Sequence, residues 1–169
     1  MREIKFRGKR IDNGKWVEGG FAIIPPPLKC FQDGIEERGK TCIVAEHEGY
    51  VADWNMPRQM GMYDVDPATI GQYTGLRDKN GTQIFEGDVI ELINADYETI
   101  RIVCEFGAAI RQIYENTVEI TGFYFTRSND GRKTFPTTHN YLGKHDKELY
   151  TVIGNIHDIP ELIKEDEKC

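Results

Sequence analysis

Close cysteine pairs are missing from this chain. Its four cysteines, Cys30, Cys42, Cys104 and Cys169, are scattered over 169 residues without a CxxC spacing, which argues against a zinc ribbon or a small disulfide framework and suits reduced thiols. No apolar run approaches the roughly 20 residues of a membrane-spanning helix. The opening MREIKFRGKR alternates charge with apolar residues and has no apolar core of a signal peptide. The expected compartment is therefore the cytoplasm, with no membrane association. Basic charge is also in deficit. Twenty-one Lys and Arg against 28 Asp and Glu give a net charge of -7, a field that repels phosphate, so nonspecific binding to duplex DNA is not expected. HExxH and GxSxG motifs are absent, and no cofactor or metal is expected.

Glycine and short β-favouring runs are plentiful. Seventeen glycines punctuate the chain, favouring turns over long helices. REIKFRGKRIDNGKWVEGGFAII alternates apolar and charged residues around Asn13-Gly14, which predicts two strands joined at that pair. Pro25 to Pro27 end the pairing because proline lacks the amide donor of a ladder. Residues 28 to 40 are polar and read as a loop or insert. TCIVAEHE predicts a strand and GYVADWNMPRQMG an irregular segment. From Met62 a strand-like start, a break at Pro67 and a second strand lead into TGLRDKNGTQIFEGDVIEL. TIRIVCEF at 99–106 and VEITGFYFTR at 118–127 are further strands by alternation. Residues 128–148 are polar with little apolar content. The end, ELYTVIGNIHDIPELIKEDEKC, predicts one strand through Ile156 and then a short helix, with Asp158 and Glu161 in capping-box positions around Pro160.

The most sharply specified stretch is residues 74–92. Asn80-Gly81 is a strong hairpin signal. A two-residue turn there sets Leu76 opposite Phe85, whereas a three-residue loop with a bulge would shift that register. The stretch also holds Asp78, Glu86 and Asp88. As metal ligands or an acid-base pair they would have to converge, yet Asp78 lies by the turn while Glu86 and Asp88 lie at the far end of the hairpin. Aspartate beside glycine in a turn usually accepts backbone amides, so the favoured reading is scaffold.

IGQYTGLRDKNGTQIFEGDVIEL, together with the opening REIKFRGK and the closing YTVIGNIHDIPELI, resembles the YopX-like family of bacteriophage and prophage proteins, and the three blocks stand in the family's order. The resemblance implies a mainly β fold of short antiparallel strands, with an SH3-like barrel in the C-terminal part. It implies no catalytic residues. The organisation expected is an N-terminal β module over 1–69 with an irregular insert and a second β module over 70–169 carrying the C-terminal helix, or the two as one compact unit.

Other candidate constellations are weaker. GIEERGKT, with Gly34, Gly39, Lys40 and Thr41, satisfies the literal P-loop pattern. It follows PPPLKCFQD instead of a buried strand and precedes the β-branched TCIVAEHE instead of a helix, so nucleotide binding is not expected. Cys30, Cys42 and His47 match no metal-ligand spacing. In TGFYFTR, Phe123, Tyr124 and Phe125 beside Arg127 could stack bases, but alternation about one buried face accounts for them. The favoured function is a noncatalytic phage or prophage scaffold that binds an unidentified host or phage protein through residues 26–60. Phe31, Trp54, Met56 and Met60 are the candidate anchors in that segment, the alternative being that these side chains cap the adjacent sheet. The protein is not expected to be an enzyme. It is expected to self-associate through sheet edges. Two alternatives stand beside this. One is a nucleic-acid-associated barrel, for which Arg101, Arg111, Arg127, Arg132 and Lys133 would have to gather on one face. The other is a metal-dependent hydrolase with converging carboxylates.

Overall fold

The computed structural model describes residues 3–26, 39–47, 59–93, 99–113, 115–135 and 150–163. The fold is mainly β with antiparallel pairing, and the chain divides into two compact units, Met1–Gln72 and Tyr73–Cys169. The boundary falls within one strand.

In the first unit, β1 (Phe6–Lys9), β2 (Trp16–Ile24), β3 (Lys40–Glu46), β4 (Met60–Asp64) and the start of β5 (Gly71–Arg77) lie in the order β4-β3-β2-β1-β5. β1 and β2 pair with Lys9 opposite Trp16. Their loop closes when the Arg10 carbonyl accepts the Gly14 amide and the Lys15 carbonyl accepts the Arg10 amide, both at 2.9 Å. Ile43, Ala45 and Val65 form the buried centre, with Phe6, Val17, Tyr63 and Ile70 packed against it. Ile43 and Ala45 are alternate positions along β3, as one buried face requires. After β4 the chain turns through a short 3-10 segment, Pro67–Thr69, where the Asp66 side chain caps the Ala68 amide. β4 begins at Met60, two residues earlier than the sequence pattern indicates, because Glu46 of β3 supplies a partner for it.

The second unit contains the rest of β5 with β6 (Gln83–Phe85), and a five-stranded sheet. That sheet comprises β7 (Asp88–Ile93), β8 (Thr99–Ile113), β9 (Asn116–Arg127), β10 (Lys133–Thr134) and β11 (Tyr150–Asn155), in the order β10-β9-β8-β7-β11. Among the described residues β10 and β11 are the edges and do not pair with one another. Ile84, Ile90, Ile100, Ile102, Cys104, Phe125 and Tyr150 form the core, with Leu76, Leu92, Phe123 and Val152 against it. Each large apolar side chain so buried contributes about 1.5–3 kcal/mol. The opposite face has a smaller cluster of Ala109, Tyr124 and Phe135, with Ile120 packed on it. At the C-terminal end the expected short helix is a 3-10 turn over Pro160–Ile163. Residues 164–169 lie outside the described part.

Candidate functional site

The turn in DKNGT is a three-residue loop. Asp78 donates its amide to the Thr82 carbonyl at 2.9 Å, and Gly81 donates to the Asp78 carbonyl at 3.0 Å. Pairing on the strands runs Arg77 to Gln83 and Tyr73 to Phe85, with a register shift between them, so Leu76 does not face Phe85. The cause is the Asp78 side chain. Its Oδ1 accepts both the Asn80 and the Thr82 amides at 2.8 Å, which holds the loop one residue longer than a two-residue turn. Gly81 then sits at φ +84°, a conformation glycine adopts at little cost.

The other oxygen of Asp78 reaches across the unit. Oδ2 accepts the Val152 amide of β11 at 3.1 Å, and the Lys79 amide donates to the Tyr150 carbonyl at 3.2 Å. Asp78 is only 5% exposed. Burial opposes its charge and is the largest single influence, but the amides of Val152, Thr82 and Asn80 together outweigh it and hold the pKa below the ordinary carboxylate range.

Asp88 is 1% exposed and forms a second clamp. Its Oδ2 accepts the Phe85 amide at 2.7 Å and its Oδ1 accepts the Asn155 side-chain amide at 3.3 Å. Asn155 in turn accepts the His157 amide at 2.9 Å through Oδ1. Gly87 completes the joint, donating to the Cys104 carbonyl at 2.8 Å and accepting from the Ile156 amide at 3.0 Å. It stands at φ +81°, and a Cβ there would meet Asn155 Nδ2 at 3.0 Å. Glu86 is half-buried and its charge reaches Tyr124, whose hydroxyl pKa is raised by burial first, then by hydrogen bonding and charge from Glu105, then by Glu86. The buried carboxylates of Asp78 and Asp88 thus hold separate backbone segments of the fold.

Of the anchors read from the sequence, Met60 is exposed on β4, while Phe31, Trp54 and Met56 lie outside the described residues. Cys30 and Gly34 do as well. Cys42 is buried in β3 and donates its thiol to Asp64 Oδ1 at 3.2 Å. Burial first, and then the Asp64 carboxylate, push that thiol up, which makes it a poor nucleophile and a poor metal ligand. Asp64 is held low chiefly by Lys40, whose Nζ donates to Oδ2 at 3.0 Å. His47 is exposed. No group of three His, Cys, Asp or Glu suited to a metal occurs among the described residues. Lys40 and Thr41 lie in β3, paired with Ile24 and Ile23 of β2, so the residues that would open a P-loop helix are part of a sheet.

The five basic residues divide between faces. Antiparallel partners share a face, and the register of β7 to β10 puts Arg101, Arg111 and Lys133 on the side of Tyr124, and Arg127 on the other, with Ile102. Arg132 follows the Arg127 position across the β9–β10 turn, where its carbonyl accepts the Arg127 amide. Lys133 lies 4.6 Å from the Tyr124 ring and Arg111 lies 5.8 Å from that of Phe135. In TGFYFTR, Phe125 is core, Phe123 packs on the core, and Tyr124 is buried on the opposite face.

One cluster escaped the sequence reading. In the first unit Arg7 and Lys9 flank the Trp16 ring at 4.8 and 5.5 Å, and Arg10 lies 4.4 Å from that of Tyr63. A cavity of about 320 Å³ beside them is lined by Arg10, Lys15, Trp16, Glu18, Glu46 and Tyr63, among others. Its sequence signal is present in the alternation of Arg7 and Lys9 across the turn from Trp16. Tyr63 enters only through β3–β4 pairing, 56 residues after Arg7 in the chain.

Short antiparallel strands, hairpins closed by aspartate and glycine, and carboxylates bound to backbone amides define a class of β protein whose best-specified residues are architectural. The chain belongs to the YopX protein family, whose model matches residues 5–164. It is similar to a solved structure described as the crystal structure of protein EF1440 from Enterococcus faecalis. The identity is 21%, coverage is 96% of this chain and 99% of that one, and the TM-score is 0.44. Comparison with curated proteins gives no match.

Proposed function

We propose that this protein is a noncatalytic accessory scaffold, encoded by a phage or prophage and acting in the host cytoplasm by binding another protein. The observation that carries this reading is the commitment of Asp78 and Asp88, the buried carboxylates of the chain's most sharply specified stretch, to amides of Asn80, Thr82, Val152 and Phe85 and to the Asn155 side chain. Those carboxylates serve the fold. Side chains that serve recognition must be sought on the surface, where Ile23, Met60 and Met62 of the first unit are exposed. Exposed apolar residues of this kind anchor protein partners.

The SH3-like barrel implied for the second unit belongs to the same proposal. What supports it is the antiparallel succession β7-β8-β9-β10, with β11 returning beside β7. Membership of the YopX family supports the phage or prophage origin. No helix among the described residues is long and apolar enough to cross a membrane.

The test is affinity purification of the tagged protein from cells carrying the phage, with a segment-swapped variant as control. In that variant residues 29–39 are a glycine-serine linker, a change that costs little in closure entropy. A partner retained by the natural protein and lost by a variant of unchanged melting temperature supports the reading. Purification of the natural protein without any stoichiometric partner contradicts it.

A further inference from the structure

We infer that β4 is a self-complementary docking edge that pairs antiparallel with β4 of a second copy about a two-fold axis at Gly61. β4 is an edge of its sheet among the described residues. At the two ends of the β3–β4 ladder, Val65 donates to the Thr41 carbonyl at 3.0 Å and His47 donates to the Gln59 carbonyl at 2.8 Å. Residues 59, 61, 63 and 65 therefore turn their backbone groups toward β3, and by alternation Met60, Met62 and Asp64 turn theirs outward. The Asp64 carbonyl is taken by the Ile11 amide at 3.0 Å. No described residue bonds the outward N–H and C=O of Met60 or Met62. A row of such groups is a template for another strand.

The spacing of the open groups selects the occupant and the register. Two outward residues separated by one inward residue match their own copy when Met60 faces Met62 of the partner subunit and Met62 faces Met60 of the partner subunit. A centre at Met62 would instead require the Asp64 carbonyl that the Ile11 amide already occupies. With the centre at Gly61, each copy gives its outward amides and carbonyls to the other, and the two Gly61 residues face one another across the axis. The four methionines then lie on one face. Met60 and Met62 are 60% and 58% exposed, and flexible thioether side chains repack readily against one another. Such a contact between identical surfaces is isologous and closes on itself. It is small beside the roughly 1,200–2,000 Å² of a standard interface, so the equilibrium depends on protein concentration. It uses the same exposed Met60 and Met62 that the proposed function offers to a partner protein, so a second copy and that partner would compete for this edge.

Residue-resolved hydrogen exchange on the natural protein at low and high concentration tests it. The Met60 and Met62 amides are expected to slow about tenfold or more as concentration rises. The Ile11 and Val65 amides, bonded within one copy, are expected not to change. Met60→Lys/Met62→Lys is expected to keep the melting temperature and to give the monomer mass by light scattering wherever the natural protein gives a dimer. The inference is overturned if the natural protein is monomeric at every concentration. Protection of the Met60 and Met62 amides that is independent of concentration, which would mean that the chain's own residues cover the edge, also overturns it, as does a lysine variant that still dimerises.

Discussion

Asp78 uses one carboxylate to fix a loop and a strand 74 residues further on, through hydrogen bonds to Asn80, Thr82 and Val152. Losing an acceptor from such a buried position costs about 1–3 kcal/mol, because the amides left behind have no water to turn to. Asp78→Asn should therefore destabilise the second unit, since the new NH2 group would face the Val152 amide. Its pH dependence follows from the lowered pKa. A carboxylate depressed on folding contributes stability that is complete above its unfolded value near pH ~4 and is lost as pH falls through the folded value. Thermal melts of the natural protein and the variant should differ most near neutral pH. They should converge as pH falls through the depressed folded value and the natural carboxylate protonates. A gap that stays constant as the pH falls until the natural protein itself unfolds would show that charge is not what Asp78 contributes.

At the scale of elements, two glycines separate conformational strain from crowding. Both Gly81 and Gly87 have positive φ, but nothing lies within 4 Å of a Cβ built on Gly81, whereas Asn155 Nδ2 lies 3.0 Å from one built on Gly87. Gly81→Ala should cost about 1 kcal/mol from backbone strain alone. Gly87→Ala should cost more, because Asn155 must also move away from Asp88. Equal melting temperatures for the two variants would count against the second clamp.

These hairpins also show how far the sequence could be read. Asn13-Gly14 and Asn80-Gly81 marked their turns, because glycine after asparagine has few other local uses. The register after Asn80-Gly81 was not legible, since it depends on where the Asp78 side chain sends its oxygens. The β9–β10 hairpin went unread for a different reason. Its loop, Ser128 to Gly131, is closed by the Gly131 amide on the Arg127 carbonyl, but the strand beyond it is only Lys133–Thr134, too short for any alternation to register. Aspartates as scaffold could be read from the turn chemistry. Val152 and Asn155 as their targets could not, because local pattern says nothing about partners about seventy residues away.

Over the whole molecule, the blocks that carry the family resemblance are those that meet. REIKFRGK supplies β1, which pairs Phe6 and Arg7 with Gln72 and Gly71 at the start of β5. The central hairpin and the closing YTVIGNIHD are joined through Asp78 to Val152, Lys79 to Tyr150, Asp88 to Asn155 and Gly87 to Ile156. Charge acts at the same scale. A net charge of -7 opposes the counterion release that drives nonspecific DNA association, and Arg101 and Arg127 lie on opposite faces of their sheet. A shift assay with random duplex at physiological salt is expected to show no micromolar binding, and a retarded band there would favour the nucleic-acid reading.

The central claim is that the acidic hairpin is a clamp on β11. Native-state hydrogen exchange at the Val152 amide tests it most directly, in the natural protein and in Asp78→Ala. The clamp predicts that Val152 is protected as well as its cross-strand partner Ile90 of β7 in the natural protein, and that the substitution accelerates Val152 by about tenfold or more beyond Ile90. Rapid exchange of Val152 in the natural protein, or exchange that the substitution leaves unchanged, would contradict it.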